Sequence, residues 1–359
     1  MGPVEINPGD QLSSRWISIW RIVQIAVWLL GVGILICLLF FPTIGLILFW
    51  NMLIPVAPAL FVVAAGVWRN ICPLATTNLL PRRLGFSKAR MLSAKHLGLL
   101  NLIAVIAFYL IVPLRHAVFN HNGVATGTMI VAMAAIGVTL GFFFEWKSAW
   151  CSGLCPVHPV EKLYGGNVFL SVPNANCDQC MHCVIPCPDS TPNINPNITA
   201  KTIYHKLSAS LIVGGLPGFI WGWFHVPDEA QMASFPTFLD VYLMPLEGFA
   251  VTLAAYLFLS SVIPAKYARG LTGIFAASGV SCYYWYRLPS LLGFGQFADD
   301  GLLINLRGML PAWSLSALTI ATTVFFFYWL VIRKKTNRSW VIRPRSGRKA
   351  DDLNAISSV

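Results

Sequence analysis

The residues with the most chemistry in this chain lie between two apolar stretches. Cys177, Cys180, Cys183 and Cys187 are spaced as C-x2-C-x2-C-x3-C and followed directly by Pro188. Two residues between successive cysteines let one tight loop wrap three thiolates around a cube face, and the proline turns the chain away after the fourth. This is the ligand spacing of a 4Fe-4S cluster, whose chemistry is one-electron transfer. Zinc fits less well, because structural zinc sites usually pair two separated C-x2-C knuckles. Disulfides fit least, since the charge pattern described below puts the loop in the reducing compartment.

Three more cysteines fall near the same face. Cys151 and Cys155 form C-x3-C-P with Pro156, and His158 follows three residues later. The radical-SAM pattern would need a third cysteine where His158 stands, so that chemistry is set aside. Trp68-Arg69-Asn70-Ile71-Cys72-Pro73-Leu74 is a short echo of Trp150-Cys151-Ser152-Gly153-Leu154-Cys155-Pro156-Val157, and each ends an apolar segment in Cys-Pro. Cys37 and Cys282 sit in or near apolar segments and read as packing residues. Seven cysteines therefore remain as candidate cluster and metal ligands: Cys72, Cys151, Cys155, Cys177, Cys180, Cys183 and Cys187. One 4Fe-4S cluster uses four. A second would be one thiolate short, which leaves open a histidine ligand (His158 or His182), a three-iron form, or three ordinary thiols at a helix boundary. The cysteine before proline can also serve a neighbouring cluster, so the partner of Cys187 stays open as well.

The elements that position these thiols are set by composition. The chain has 359 residues, is 56% hydrophobic and 11% charged, and has a mean hydropathy of +0.66. With roughly 20 apolar residues needed to span a bilayer, crossings are expected at about 20–41, 43–68, 97–114, 124–145, 207–224, 240–264 and 310–333, with a short one near 271–286. The first apolar segment lacks a basic leader beyond Arg15 and a second follows at once, so it is expected to be an anchor and not a cleaved signal. The expected fold is an all-α integral membrane protein of about eight transmembrane helices with a cytoplasmic ferredoxin-like iron-sulfur insert.

Lysine and arginine orient it. Arg69, Arg82, Arg83, Lys88, Arg90 and Lys95 lie in the 69–96 connection; Lys147, Lys162, Lys201 and Lys206 lie at 146–206; Lys266 and Arg269 follow, and the tail adds eight more. The opposite loops carry few positive charges, chiefly Arg115, Arg287 and Arg307, and include Asp228, Glu229, Asp299 and Asp300. Both termini and the cysteine run are thus expected in the cytoplasm, in an inner membrane crossed many times. Removing the 271–286 crossing alone would move the basic tail outside, against the charge rule. The net charge of +11 comes mainly from the tail and inner loops. Anionic lipid is the expected contact of that tail, an acidic carrier steered onto a basic rim is the alternative, and nucleic acid is not expected.

The chain divides accordingly. Residues 1–145 form a four-helix membrane region with a basic loop at 69–96, residues 146–206 the iron-sulfur insert, residues 207–333 the C-terminal membrane helices, and residues 334–359 the basic tail. The insert holds six of the nine cysteines and the irregular run Pro192-Asn193-Ile194-Asn195-Pro196-Asn197, so a bound cluster would be its organising centre. His96 and His116 bracket the third crossing, and His205 and His225 the fifth. Histidines at helix ends need no metal, and haem is not expected. Glu247 is the one acidic residue well inside an expected crossing, either a functional carboxylate or an interfacial one if the helix starts later. Tyr283-Tyr284-Trp285-Tyr286 reads as an interface belt. Asn51, Pro55 and Pro58 predict a kink in the second crossing.

The combination of several crossings, Cys72-Pro73, Cys151-Ser152-Gly153-Leu154-Cys155-Pro156 and the Cys177 to Cys187 run resembles the NapH/NosR-type membrane-bound ferredoxins over roughly residues 60–200. Trp68 stands where that pattern would place a further cysteine, and one full ferredoxin motif is present where many relatives carry two. The resemblance implies electron transfer through iron-sulfur clusters between a cytoplasmic carrier or quinone and a membrane redox enzyme, as a component of an oxidoreductase system. The alternative is a transporter or maturation factor whose cluster is structural or sensory.

Overall fold

The computed structural model describes residues 8–9, 14–90, 92–144, 149–167, 169, 172–173, 202–226, 235–298, 301–311, 313–333 and 341–344. The chain is helical almost throughout these segments. In order the helices are α1 (Ser14–Phe40), α2 (Pro42–Leu46), α3 (Ile54–Ile71), α4 (Pro73–Asn78), α5 (Leu80–Arg83), α6 (Ala94–Ile111), α7 (Gly123–Phe143), α8 (His158–Tyr164), α9 (Ile203–Phe224), α10 (Phe235–Val262), α11 (Ala268–Leu291) and α12 (Ser314–Phe327). Wider π-helical turns join or extend them at Ile47–Leu53, Arg115–Phe119, Trp150–Leu154 and Tyr328–Ile332.

Local chemistry starts several of these helices where a bilayer offers no water to solvate free amides. Ser93 Oγ accepts from the His96 amide at 3.3 Å and caps α6. Asn122 Oδ1 does the same for Ala125 at 2.9 Å and α7, and Thr202 Oγ1 for His205 at 3.4 Å and α9. Pro42 and Pro73 open α2 and α4, where their missing N–H costs nothing.

Among the described residues seven helical segments are long and apolar enough to cross a membrane: Arg15–Phe40, Pro42–Asn78, Ala94–Ile111, Gly123–Phe143, Ile203–Phe224, Leu239–Val262 and Ser314–Ile332. They coincide with the seven longer crossings expected from sequence, and the chain is a multi-pass membrane protein. The eighth expectation, 271–286, lies within α11, a helix of 24 residues that is not among the seven. Its lower hydropathy has a packing cause. Ser281, Cys282, Tyr284, Arg287 and Ser290 are all buried against other helices, so their surroundings are protein and not acyl chains.

The helix α9 lies at the centre, buried over most of its length. Its glycines let α10 come to backbone contact: a methyl group at Gly218 would meet the carbonyl oxygen of Gly248, and one at Gly222 that of Met244. Close approach of this kind through small residues drives helix association in lipid, where apolar burial supplies little. The main core then gathers Phe61, Tyr109, Tyr164, Leu216, Phe219, Tyr256, Val280, Tyr284 and Phe326 from α3, α6, α8, α9, α10, α11 and α12.

The predicted kink in the second crossing is present, but displaced. The helix α3 contains Pro58 yet breaks at Ala64, whose backbone has φ −146° and ψ 54°. Groups loosened along this helix are taken up by neighbours. The Tyr284 hydroxyl donates to the Pro55 carbonyl at 2.7 Å and accepts from the Ala59 amide at 2.9 Å. Trp329 Nε1 donates to the carbonyls of Val62 and Asn167, both at 3.1 Å. Tyr284 is therefore a core residue propping α3, which corrects its reading as part of an interface belt: its hydroxyl finds a buried backbone partner and has no need of the headgroups.

Among the described residues there are also three short strands. They are β1 (Pro8–Gly9), β2 (Val172–Pro173) and β3 (Val341–Pro344), joined in parallel in the order β1-β3-β2. Gly9 pairs with Pro344 and Val172 with Val341. A residue near the N-terminus, one from the 146–206 insert and one from the tail thus meet at the same end of the bundle.

Candidate metal centre

Cys177, Cys180, Cys183 and Cys187 lie outside the described residues, as does His182. The other three candidate thiols are brought together from positions far apart in the chain. Cys72, Cys151 and Cys155 pack in one apolar cluster with Ala75, Trp150, Met133, Leu140 and Leu154, separate from the main core.

The local geometry follows from Cys-Pro. A proline disfavours the α conformation in the residue before it, and Cys72 (φ −53°, ψ 120°) and Cys155 (φ −66°, ψ 117°) take nearly the same extended backbone. Each cysteine thus ends one helical segment and, through a proline that needs no N–H partner, leads into the next. The Cys72 sulfur receives hydrogen bonds from the amides of Leu74 and Ala75. The Cys155 sulfur receives them from Val157 and His158. The echo in the sequence is a repeated local structure, with two amides aimed at each sulfur. Cys151 comes one helical turn before Cys155, in the π-helical turn Trp150–Leu154, and is buried.

Burial pushes the Cys155 thiol up to about 12, with Cys151 and Cys72 adding to it. Unless a metal ion binds it, such a group keeps its proton. Between the two cysteines of C-x3-C-P, the buried Ser152 Oγ has no hydrogen-bond partner among the described residues.

A charged network borders this pocket of sulfur. Arg69, three residues before Cys72, is buried. Its Nε lies 3.2 Å from Glu161 Oε1, and a terminal nitrogen lies 3.2 Å from His158 Nδ1. Guanidinium nitrogens only donate, so His158 Nδ1 accepts and the ring proton belongs on Nε2. The 3.4 Å approach of Nδ1 to Glu161 Oε2 is then close packing and not a hydrogen bond. Burial, followed by the Arg69 charge, lowers His158 to about 3, so the ring is neutral. Burial opposes ionisation of Glu161, but the Arg69 charge outweighs it and holds the carboxyl below its ordinary range. His158, expected as a possible ligand, instead turns one ring nitrogen to Arg69. Arg69 and Glu161 were not foreseen as site residues. Arg69 was named as a positive charge in the 69–96 loop and as part of the Trp68 to Leu74 echo, without a role of its own; its place three residues before Cys72 was the signal that could have drawn attention to it.

The donor set suits iron. Thiols are soft ligands, amides aimed at ligand sulfurs and a free hydroxyl are the outer hydrogen bonds such centres use, and the residues present fit that chemistry. The count is short. Among the described residues no three cysteine, histidine, aspartate or glutamate side chains are arranged to hold a metal ion by themselves.

The remaining candidates fall elsewhere. His96 Nδ1 lies 2.8 Å from Ser93 Oγ and His205 Nδ1 2.8 Å from Thr202 Oγ1, both at helix caps. His116 Nε2 is 2.9 Å from the Trp223 carbonyl, and His225 Nδ1 is 2.8 Å from that of Trp221. Glu247 lies within the Leu239–Val262 crossing on an exposed face of α10. Cys282 is buried and Cys37 half-buried. No family model, curated protein or solved structure matches this chain.

Proposed function

We propose that this chain is a membrane-bound electron-transfer protein. In this reading Cys177, Cys180, Cys183 and Cys187 hold a 4Fe-4S cluster, and Cys72, Cys151 and Cys155 form a second thiol site beside it. Electrons pass between a cytoplasmic carrier or quinone and a redox enzyme in the membrane. When bound, the cluster supplies one-electron chemistry. The chain supplies the thiols, the Leu74, Ala75, Val157 and His158 amides that stabilise negative charge on sulfur, and an apolar wall that keeps water away. The observation that carries the reading is the convergence of these three thiols in a chain that also bears the four-thiol run.

The strand pairing supports eight crossings. Pairing of β2 with β3 requires an even number of crossings between Pro173 and Val341. The helices α9, α10 and α12 provide three, so α11, at roughly 1.5 Å per residue long enough to span, supplies the fourth. The same parity holds between Gly9 and Val172, with α1, the α2–α4 segment, α6 and α7. The positive-inside rule then favours the cytoplasm for the end that carries both termini and the insert.

The test is iron and acid-labile sulfide analysis with low-temperature EPR on anaerobically purified protein. About four irons support one cluster and seven or eight support two. Cys180→Ala should abolish the signal of the four-thiol cluster. Protein that carries zinc and no iron overturns the reading. A transporter or maturation factor with a structural cluster would keep its activity whether the cluster is held oxidised or reduced, whereas an electron conduit must cycle with its donor.

A further inference from the structure

The helix α10 (Phe235–Val262) packs almost wholly on α9, and among the described residues nothing covers its other side. Leu243, Glu247, Val251, Ala254 and Phe258 are exposed along it, at helical spacing, with Asp240 one turn earlier. Glu247 is eight residues past Leu239, the start of the apolar crossing, roughly 12 Å along the helix axis. Among the described residues it makes no hydrogen bond or ion pair. A carboxylate held at that depth against acyl chains is costly, and such groups mark functional contacts.

Three occupants could cover this face. Lipid leaves the carboxylate unmatched. A second copy, docked about a two-fold axis, would bring Glu247 against Glu247 and Asp240 against Asp240, like charge on like. A helix with basic side chains matches both. Asp240 and Glu247 are seven residues apart on one exposed side, the repeat of a left-handed helix pair. The exposed Ala250 and Ala254 beside Glu247 let a second backbone come close.

We propose that the bare face of α10 docks a transmembrane helix of another protein, with a lysine or arginine level with Glu247 and a second basic or donor residue one heptad away, beside Asp240. The surface does not depend on the iron-sulfur reading, and neither result decides the other.

The test uses the full chain, donor-labelled and reconstituted in phosphatidylcholine vesicles. Acceptor-labelled polyleucine transmembrane peptides are added that carry Lys, Leu or Glu at the depth of Glu247. Energy transfer should report association of the Lys peptide roughly tenfold tighter than the Leu peptide, and the Glu peptide weakest. Glu247→Leu, which places only apolar surface against lipid, should erase the preference for Lys while leaving the fold intact, as read by its circular dichroism. Equal association of the Lys and Leu peptides overturns the proposal. So does a Lys preference that survives Glu247→Leu, or self-association of the wild-type chain that Glu247→Leu abolishes.

Discussion

Replacing Glu161 by glutamine tests the charged network beside the cysteines. The wild-type pair is fully buried, with Arg69 Nε 3.2 Å from Glu161 Oε1 and side-chain exposures of 7% and 2%. Glutamine keeps the shape but removes the charge, leaving the Arg69 guanidinium buried beside a neutral histidine. An unmatched buried charge of this kind costs about 3–5 kcal/mol. The unfolding free energy of Glu161→Gln, from denaturant titration in detergent micelles, should fall by that amount. The double variant Arg69→Met with Glu161→Gln removes both charges and should return to within about 1–2 kcal/mol of wild type, because a buried pair is worth little against an apolar replacement. The pH dependence has a defined sign. Glu161 ionises below its ordinary value of 4.5 in the fold, so the stability it contributes is complete above that pH and is lost as pH falls through the folded value. A single-variant loss under about 1 kcal/mol, or losses that simply add in the double variant, would refute the ion pair as an organising contact.

Three further substitutions probe the frame around the site. Gly218→Leu drives a side chain into the Gly248 carbonyl and should cost at least 1–3 kcal/mol, the scale of overpacking; Gly248→Leu fills the same contact, so the double variant should cost less than the sum, measured by the same titration. Tyr284→Phe removes the hydroxyl that bridges the Pro55 carbonyl and Ala59 amide and should destabilise by about 1–3 kcal/mol, while hydrogen exchange at the Ala59 amide accelerates.

The crossings were legible because a bilayer demands about 20 apolar residues in a row, and each of the seven longer crossings overlaps one apolar helical segment, the second of which runs ten residues past its expected end, to Asn78. The eighth segment was read as 271–286, short and uncertain in kind, because α11 faces protein: Ser281, Arg287 and Ser290 find surroundings inside the bundle that lipid would not offer. Tyr284, within the Tyr283 to Tyr286 run, was misread for the same reason. An aromatic run near a helix end looks alike whether its hydroxyls meet headgroups or, as Tyr284 does, a proline-interrupted helix. Pro58 signalled a distorted α3, but the break falls at Ala64, close to the Val62 carbonyl that Trp329, 267 residues beyond Val62, reaches. Glu247 was legible as an acid within a crossing. That it faces outward could only follow from which side of α10 the glycines of α9 occupy.

The Cys-Pro echo was legible because its cause is local. Proline after cysteine forces the same backbone at Cys72 and Cys155, and with it the same pair of amides on each sulfur. What the two copies lack in common is equally physical. The second copy has Cys151 one turn before its Cys-Pro; the first has Trp68, which packs edge-on to Phe61, with ring centroids 5.3 Å apart, in the main core and not among the thiols. The helix α3 thus commits that position to holding the bundle together, and the residue after it, Arg69, turns its charge to Glu161 and His158. Neither position offers a fourth ligand, and His158 has given one ring nitrogen to Arg69. In the proposed reading Cys187 belongs to the four-cysteine run, so a four-coordinate centre on Cys72, Cys151 and Cys155 would have to draw its last ligand from outside these two turns.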